Sequence, residues 1–336
     1  MNQSSTLISP HFKEDPPMQI RLTTFNVENL FNRYAYLDLP WEGRSYEKFV
    51  LATGLASIAS RQGDLVSYPT TEIQRNNTAQ AILDSRPDIL TVQEIENIYT
   101  LRNFNDQYLD DYFDRMIAID GNDPRGIDVG LLIKKGCSAD VVNVRTHVDE
   151  GQDGKSVTRS ADAAWGYRVF NALFSRDCLE VDLKVNKKFI TLLVNHLKAQ
   201  DGTAASVKRR TVQAKRVAEI AKAAADESRS PIVIGDLNVD PTVNKGDKSL
   251  DSLLKSSALK DPFPAGTWTH YYTSERKISR LDYILPHKSL KVVGTDIVRK
   301  GLTTKCQQYS GPRYPTVGQE HTEASDHCPT TVVIEI

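Results

Sequence analysis

The sequence predicts an α/β protein in which two mixed β-sheets pack face to face with helices outside. Apolar strand candidates are interrupted by helical stretches through both halves of the chain, as layered α/β folds require. Two central candidates, Leu179–Val185 and Phe189–Val194, are joined by Asn186-Lys187-Lys188, a hairpin junction that argues against a purely parallel sheet. No repeat of fixed short period and no low-complexity tract competes with this reading.

Residues 1–18 are polar, carry Pro10, Pro16 and Pro17, and read as a flexible N-terminal arm. The first strand is Ile20–Phe25, where Ile20, Leu22 and Thr24 alternate with Arg21, Thr23 and Phe25. Tyr34–Thr71 is aromatic-rich with no clean period and is expected to be a long, partly helical insertion. Ala79, Ile82 and Leu83 give a helix that Pro87 stops after Ser85. Asp88–Gln93 and Val129–Ile133 follow as buried strands. Asp149–Ala164, rich in Gly, Asp and Ser, reads as a surface loop. Then come strands at Val169–Phe174, Leu179–Val185 and Phe189–Val194. From Ala204 to Ala225, Val207, Thr211, Ala214, Ala218, Ala221 and Ala225 recur at helical spacing and predict an apolar face. Lys208, Lys215 and Lys222 fall on another face and read as solvated. Pro231–Ile234, Leu281–Leu285 and Thr330–Ile336 complete the strands.

Composition bounds the partners. Of 336 residues, 40% are hydrophobic and 25% charged, which places the chain among ordered globular proteins. At roughly 150 residues per domain the length suggests about two domains, although large α/β folds use this much chain for one. Forty-two Lys and Arg against 43 Asp and Glu give a net charge of −1, so any polyanion site must be a local cluster of cations. Phe49–Ser60, the longest uncharged apolar-leaning run, is too short to span a bilayer. Cys137, Cys178, Cys306 and Cys328 contain no C-x-x-C pair, and a core of this size does not need disulfides. Met1–Gln19 lacks the apolar stretch of a signal peptide, and a cytoplasmic protein is expected.

The informative pattern is polar. Strand candidates run into Asn26-Val27-Glu28, Gln93-Glu94, Asn195-His196 and Gly235-Asp236-Leu237-Asn238, Asp282 lies early in the Leu281–Leu285 strand, and Ser325-Asp326-His327 precedes the last. In open α/β sheets such positions converge on one crevice. Each also has a plain structural reading: Asn26 as a turn cap, Glu94 as a surface carboxylate, Asp236 and Asn238 as an Asx-turn, His196 as a core histidine. Burying all of them without partners costs about 1–3 kcal/mol for each neutral group and more for each charge. A bound divalent cation with a hydrogen-bond network offsets that cost.

The ordered set Thr24-Phe25-Asn26-Val27-Glu28-Asn29-Leu30, Val92-Gln93-Glu94, Val194-Asn195-His196-Leu197-Lys198, Ile234-Gly235-Asp236-Leu237-Asn238, Arg280-Leu281-Asp282-Tyr283-Ile284 and Ser325-Asp326-His327-Cys328-Pro329 resembles the endonuclease/exonuclease/phosphatase superfamily. Deoxyribonuclease I and exonuclease III-type repair enzymes belong to it. The resemblance spans residues 20–336 and implies a four-layer α/β sandwich. It makes 19–336 a single catalytic domain with insertions near 34–71 and 143–167.

The resemblance also implies a chemistry. Glu94 becomes the principal ligand of Mg²⁺ or Mn²⁺, with Asn26 and Asp326 nearby, since oxygen ligands suit hard cations. Asp236 orients or deprotonates the attacking water and Asn238 holds that water or a phosphate oxygen. His327 meets the phosphate, Asp282 fixes its tautomer, and His196 lies on the phosphate's other side. Asp128 is the candidate that orients His196. Arg176 resembles an arginine that meets substrate phosphate, with an ion pair to Asp177 or Glu180 as its structural alternative.

Phe25-Asn26-Val27-Glu28-Asn29-Leu30-Phe31 and Gln93-Glu94-Ile95-Glu96-Asn97 are most similar to the bacterial nuclease-type branch. The implied function is hydrolysis of DNA, or RNA, by in-line attack of water. Lys198, with Arg125, Arg159, Arg168, Arg176, Lys208, Arg209 and Arg210, is expected to supply backbone affinity. The alternatives are a phosphoesterase acting on a small-molecule or lipid phosphate, and a non-catalytic scaffold. Val239-Asp240-Pro241 after Asn238 departs from the inositol phosphatase pattern. Trp268–Tyr272 reads as core, or as a lipid-touching or base-stacking surface.

Overall fold

A computed structural model describes residues 18–30, 33–38, 48–51, 63–68, 70–123, 126–152, 154–162 and 166–336, by backbone alone at residue 29 and within 31–69 and 159–170. Two large sheets dominate. The first has six strands in the order Lys291–Ile297, Thr330–Glu335, Gln19–Leu30, Ile89–Ile95, Asp128–Lys134, Phe113–Ala118. The second has five: Asp282–Pro286, Ser230–Asp236, Lys188–His196, Cys178–Val185, Ala139–Arg145. One neighbouring pair in each runs parallel, Gln19–Leu30 with Ile89–Ile95 and Lys188–His196 with Ser230–Asp236. A parallel pair needs a crossover, and a helix supplies each one, Glu72–Ser85 in the first case and Ala204–Asp226 in the second.

The layers follow from where the apolar side chains point. Leu22, Leu131 and Val332 of the first sheet meet Val181, Leu192 and Ile234 of the second in one buried cluster. The outer face of the first sheet (Leu90, Val92, Leu132) packs on Ile82, Leu101 and Phe104 from two helices. The outer face of the second (Leu193, Val233, Leu285) packs on Ala214, Val217 and Ala221. Each fully buried Leu, Ile or Val contributes about 1.5–3 kcal/mol. The result is the helix–sheet–sheet–helix sandwich expected. Among the described residues no helix is long and apolar enough to cross a membrane.

Helix boundaries are set by caps. Thr71 accepts the Gln74 amide at 3.2 Å while Gln74 accepts the Thr71 amide at 3.1 Å, a reciprocal capping box. That helix ends where Arg86 turns left-handed ahead of Pro87. Asn97 caps Ile98–Tyr108, a helix sequence periodicity did not reveal, and Thr203 caps Ala204–Asp226.

Several expectations are corrected. The described parts of the 34–71 insertion form a three-stranded sheet, Lys48–Leu51, Arg33–Asp38, Gly63–Tyr68, rather than helix. The loop expected at 149–164 contains the strand Thr158–Asp162, which pairs with Gly166–Phe170, so the strand placed at Val169–Phe174 begins and ends earlier. The long helix buries Arg210, Gln213, Ala214, Val217, Ile220, Ala221 and Ala224, a face rotated from the one its alanines suggested. Lys208, Lys215 and Lys222 are solvent-exposed as read. All four cysteines are free.

Strand direction positions the polar residues. Asn26 is opposite Gln93, and His196 opposite Asp236, in the two parallel pairs. Asp236 is also opposite Asp282 on the antiparallel neighbour, and Thr24 is opposite Thr330 at the start of the last strand. The ends of four strands and the beginnings of two therefore share one edge of the sandwich.

Candidate active site

Asn26 ties the two sheets together at that edge. Its Nδ2 donates to Oε1 of Glu94 at 3.3 Å on the first sheet and to Oδ2 of Asp236 at 3.1 Å on the second. Its Oδ1 accepts the Glu28 amide at 3.1 Å, so it meets both carboxylates through its amino group and holds them in place. Its backbone carbonyl accepts the Ser325 hydroxyl at 2.8 Å, which draws the Ser325-Asp326-His327 segment to the same point.

Glu94 sits on a bulge where register slips between Gln93 and Ile95, with φ of 65°. The extra residue turns its side chain out of the alternation and toward the edge. Glu28 (φ 49°) and Asn238 (φ 61°) share this left-handed backbone. Such conformations cost on the order of 1–3 kcal/mol each and cluster at functional sites. Gly235 has φ of 133°, and a Cβ there would fall 2.0 Å from the Asn195 carbonyl oxygen. No other residue fits between those strands.

Asp236 is buried and densely contacted. Its Oδ1 accepts the Asn238 amide at 2.8 Å, and its Oδ2 accepts Asn238 Nδ2 at 3.2 Å. His196 Nε2 lies 3.5 Å from that same Oδ2 and 3.8 Å from Glu94 Oε1. Burial, with Asp282 adding to it, pushes the Asp236 carboxyl up to about 7 against the pull of His327 and Asn26.

His327 Nδ1 lies 2.9 Å from Asp282 Oδ2, which also accepts the Thr269 hydroxyl at 2.6 Å. The other ring nitrogen faces Oδ2 of Asp236 and Oδ1 of Asp326, each at 3.8 Å. Burial works against charging this ring, but Asp282, Asp236 and Asp326 together raise it well above the ordinary histidine value.

A carboxylate cluster lies beside this pair. Asp326 accepts into its site from His270, whose Nε2 is 3.3 Å from Oδ2, and its backbone amide donates to Glu28 Oε2 at 2.9 Å. Burial, then the charge of Asp326, raises both Glu94 and Glu28 above the usual carboxylate range. Burial also pulls Asp326 up, yet His327 and His270 bring it down to about 2. The three carboxylates repel one another across the site, and oxygen donors suit a hard divalent cation; among the described residues the group whose ligand atoms all lie within 4.8 Å of one another is His270, Asp326 and His327. Glu94 and Asp326, with Glu28 beside them, are the residues that would hold the cation.

The remaining residues stand further out. Arg176 is 4% exposed and pairs through Nε with Asp123 at 3.1 Å. Its Nη1 reaches the Leu197 carbonyl at 3.5 Å. Asp128 accepts the Gly121 amide at 2.6 Å, and burial pushes it up to about 7. Lys198 pairs with Asp201 at 3.3 Å. Arg210 is buried against Asp247, Ser249 and the Lys198 carbonyl, and is a structural residue, not a backbone-binding one. Arg125 and the side chains of Arg159 and Arg168 lie outside the described residues. In the Trp268–Tyr272 run, Tyr271 is core, Trp268 packs under Arg299 and Tyr272 is exposed.

His270 and Glu28 are the site residues that the sequence reading did not assign. Glu28 lay inside a quoted motif. His270 gave no signal, because nothing in Thr269-His270-Tyr271 reveals that it will face Asp326. A cavity of about 530 Å³ lies elsewhere, between the 149–156 segment and the long helix, and is lined by none of these residues.

The profile of the endonuclease/exonuclease/phosphatase family matches residues 23–327. The chain belongs to that family. No curated protein sequence matches it significantly. Solved structures similar to it include an endonuclease/exonuclease/phosphatase family protein of Bacteroides thetaiotaomicron, with TM-score 0.59, 15% identity, and 96% of this chain and 99% of that one covered. The human Nocturnin catalytic domain gives TM-score 0.58 at 15% identity, covering 95% of each chain. A mannosyl-6-phosphatase of Bacteroides thetaiotaomicron gives 0.57 at 15% identity, covering 93% and 98%. At this identity the likeness speaks for the fold.

Proposed function

We propose that the protein is a divalent-cation-dependent phosphodiester hydrolase, with DNA as the first substrate to test and RNA second. The observation that carries the reading is the convergence of Asp236, Asn238, His196, His327 and Glu94 through Asn26, with the Asp282–His327 pair behind it. Asp236, buried between Asn26, Asn238, His196 and His327, is the base that orients and deprotonates a water. Asn238 holds Asp236 by two hydrogen bonds and positions the nucleophile. His327, kept charged by three carboxylates, presents Nε2 to a phosphate oxygen, and Asp282 keeps that nitrogen pointing outward. His196 contributes a second imidazole on the side of Glu94. Glu94 and Asp326 would hold the cation, which would supply Lewis-acid stabilisation of charge on the phosphoryl oxygens. We read 19–336 as one catalytic domain, and place it in a reducing cytoplasm, which the four free cysteines support.

A second reading, a phosphatase acting on a small phosphate ester, is favoured by one finding. Arg176, Lys198 and Arg210, expected to track a nucleic-acid backbone, are engaged by Asp123, Asp201 and Asp247. The Bacteroides mannosyl-6-phosphatase shows a small-substrate enzyme on this fold. The test assays supercoiled plasmid, linear duplex, single-stranded DNA, RNA and a panel of phosphate monoesters with Mg²⁺, Mn²⁺ or chelator. Cleavage of plasmid that needs Mg²⁺ and weakens with salt supports the first reading. Turnover of monoesters alone replaces it with the second.

A further inference from the structure

Tyr272 is an exposed aromatic ring on the face that carries the candidate site. His270–Tyr272 pairs with Lys277–Ser279 as a short hairpin, with His270 opposite Ser279 and Tyr272 opposite Lys277. Side chains alternate along a strand, so with Tyr271 in the core, His270 and Tyr272 share the other face. Tyr271 is fully buried and its hydroxyl donates to the Lys305 carbonyl at 2.9 Å. The backbone is fixed as well. The Tyr271 amide donates to the Asp326 carbonyl at 2.9 Å, and the Cys328 amide to the Thr269 carbonyl at 2.7 Å. His270 therefore lies against Asp326 and His327, and Tyr272 stands next along.

The rings form a ladder leading away from the phosphate position. The centroids of His327 and His270 are 4.7 Å apart, and those of His270 and Tyr272 are 6.3 Å apart, with planes 25° from parallel. His270 is held at both nitrogens, Nδ1 3.0 Å from the Ser279 hydroxyl and Nε2 3.3 Å from Asp326 Oδ2, so the ring beside Tyr272 is fixed. Tyr272 itself is 49% exposed. A lone exposed ring is ordinary on a protein surface. This one is set at a defined angle two ring contacts from His327, where it offers a flat apolar surface to a planar group.

The cations point the same way. Arg176, Lys198 and Arg210 are engaged by Asp123, Asp201 and Asp247, so these three are not free to track a phosphate backbone. Affinity for a nucleic acid then rests more on its bases. A protein ring can stack only on a base that is not already stacked and paired in a duplex.

We propose that Tyr272 is the stacking platform for an unpaired nucleobase next to the scissile phosphate, which makes single-stranded nucleic acid the preferred substrate. The inference rests on the phosphodiester reading and names the substrate within it. It assigns the open end of the Trp268–Tyr272 run to base stacking.

The test is fluorescence anisotropy of short labelled oligomers with the full chain, with Ca²⁺ in place of Mg²⁺ and the oligomers shown intact by gel. The probes are oligothymidylate, an abasic strand of the same length with the same phosphates, and a duplex. Wild type is expected to bind oligothymidylate about tenfold or more tighter than the abasic strand, and tighter than the duplex. Tyr272→Leu keeps apolar bulk without a ring and is expected to erase that preference, whereas Tyr272→Trp keeps it. An effect exerted only through His270 would weaken both strands alike. Phe189, a similarly exposed ring at the far end of the strand that leads to His196, is the control, and Phe189→Ala should bind as wild type does. Thermal melts establish that each variant is folded. Equal binding of the two strands by wild type, no binding, a preference for duplex, or a folded Tyr272→Leu that keeps the preference overturns the platform. Adsorption to phosphatidylcholine vesicles that Tyr272→Leu abolishes, with no preference between the strands, overturns it in favour of a lipid surface. Mg²⁺-dependent cleavage of phosphodiesters would in each case leave the hydrolytic reading standing. Base-dependent binding without any cleavage would do the reverse.

Discussion

Asp282 Oδ2 receives both His327 Nδ1, at 2.9 Å, and the Thr269 hydroxyl, at 2.6 Å, inside a fully buried pocket behind the candidate site. The carboxylate is itself anchored by register, opposite Asp236 on the neighbouring strand. His327 is thereby fixed in both tautomer and direction. Asp282→Asn preserves the shape and removes the charge. It is expected to lower kcat about 10²-fold or more, with a smaller change in KM, as removal of a proton-positioning partner does. Steady-state kinetics on the best phosphate ester checks this. Thr269→Val should be milder, because His327 keeps its main partner. An Asp282→Asn enzyme with wild-type kcat would contradict the role.

Gly235 is the point where the two parallel strands of the second sheet touch. With a Cβ placed 2.0 Å from the Asn195 carbonyl oxygen, Gly235→Ala must push strands apart between His196 and Asp236. A loss of about 4 kcal/mol or more is expected, in the range reserved for backbone clashes and broken cores. Urea denaturation measures it. A stable, active alanine variant would mean the strands are further apart than described.

Arg210 and Lys208 lie two residues apart on one helix with opposite fates. Arg210 is 1% exposed and its charge meets Asp247, so Arg210→Ala empties a packed buried site and leaves the half-buried Asp247 with Ser249 but without its cation, which should cost about 2–4 kcal/mol. Lys208→Ala is expected to stay within about 0.5 kcal/mol of wild type. Denaturation midpoints of the two variants decide it.

His147 bridges Glu150 (2.6 Å) and Glu180 (3.1 Å), and Glu150 in turn holds Arg216 on the long helix at 2.7 Å. Burial opposes charging of His147, but Glu180 and Glu150 raise it above its ordinary value. A raised folded-state value gives stability that is full below about pH 6.5 and lost as pH rises through the folded value. The same contacts lower Glu150 and, against burial, bring Glu180 to about 2. Their share is present above about pH 4.5 and lost as pH falls through the folded values. The bracket is therefore strongest near pH 5–6. The stability difference between wild type and His147→Gln should be larger at pH 6 than at pH 9, by on the order of 1 kcal/mol. Urea titrations at the two pH values read it, and an equal difference at both would show that His147 stays neutral.

Much of this architecture is legible in the sequence, for local reasons. Strands such as Ile89–Ile95 and Ser230–Asp236 are mostly apolar runs with a carboxylate, Glu94 or Asp236, at or next to the end, so both the strand and the polar end could be read. The long helix was legible in extent but not in rotation. Its alanines mark no face strongly, and Arg210 becomes a core residue only because Asp247 and Ser249 arrive from far along the chain. The same limit hid His270, whose meaning depends on a backbone bridge to His327. The cations expected to form a groove were read from position alone, and position does not reveal that Asp123 and Asp201 will claim Arg176 and Lys198. Glu94 was legible as a strand-end carboxylate, whereas the bulge that aims it was not.

The account turns on Glu94 and Asp236 acting on one phosphate across the gap between the sheets. The most direct measurement is the initial rate of hydrolysis of bis(4-nitrophenyl) phosphate and of supercoiled plasmid by wild type, Glu94→Gln and Asp236→Asn, each shown to be folded by thermal melting, in Mg²⁺ and in chelator. Wild type should turn over at least one of them, only with the cation present, and each variant should fall by about 10³-fold or more, since removal of a group acting in the transition state costs several kcal/mol. Wild-type rates that persist in chelator, or full activity in either variant, would contradict it.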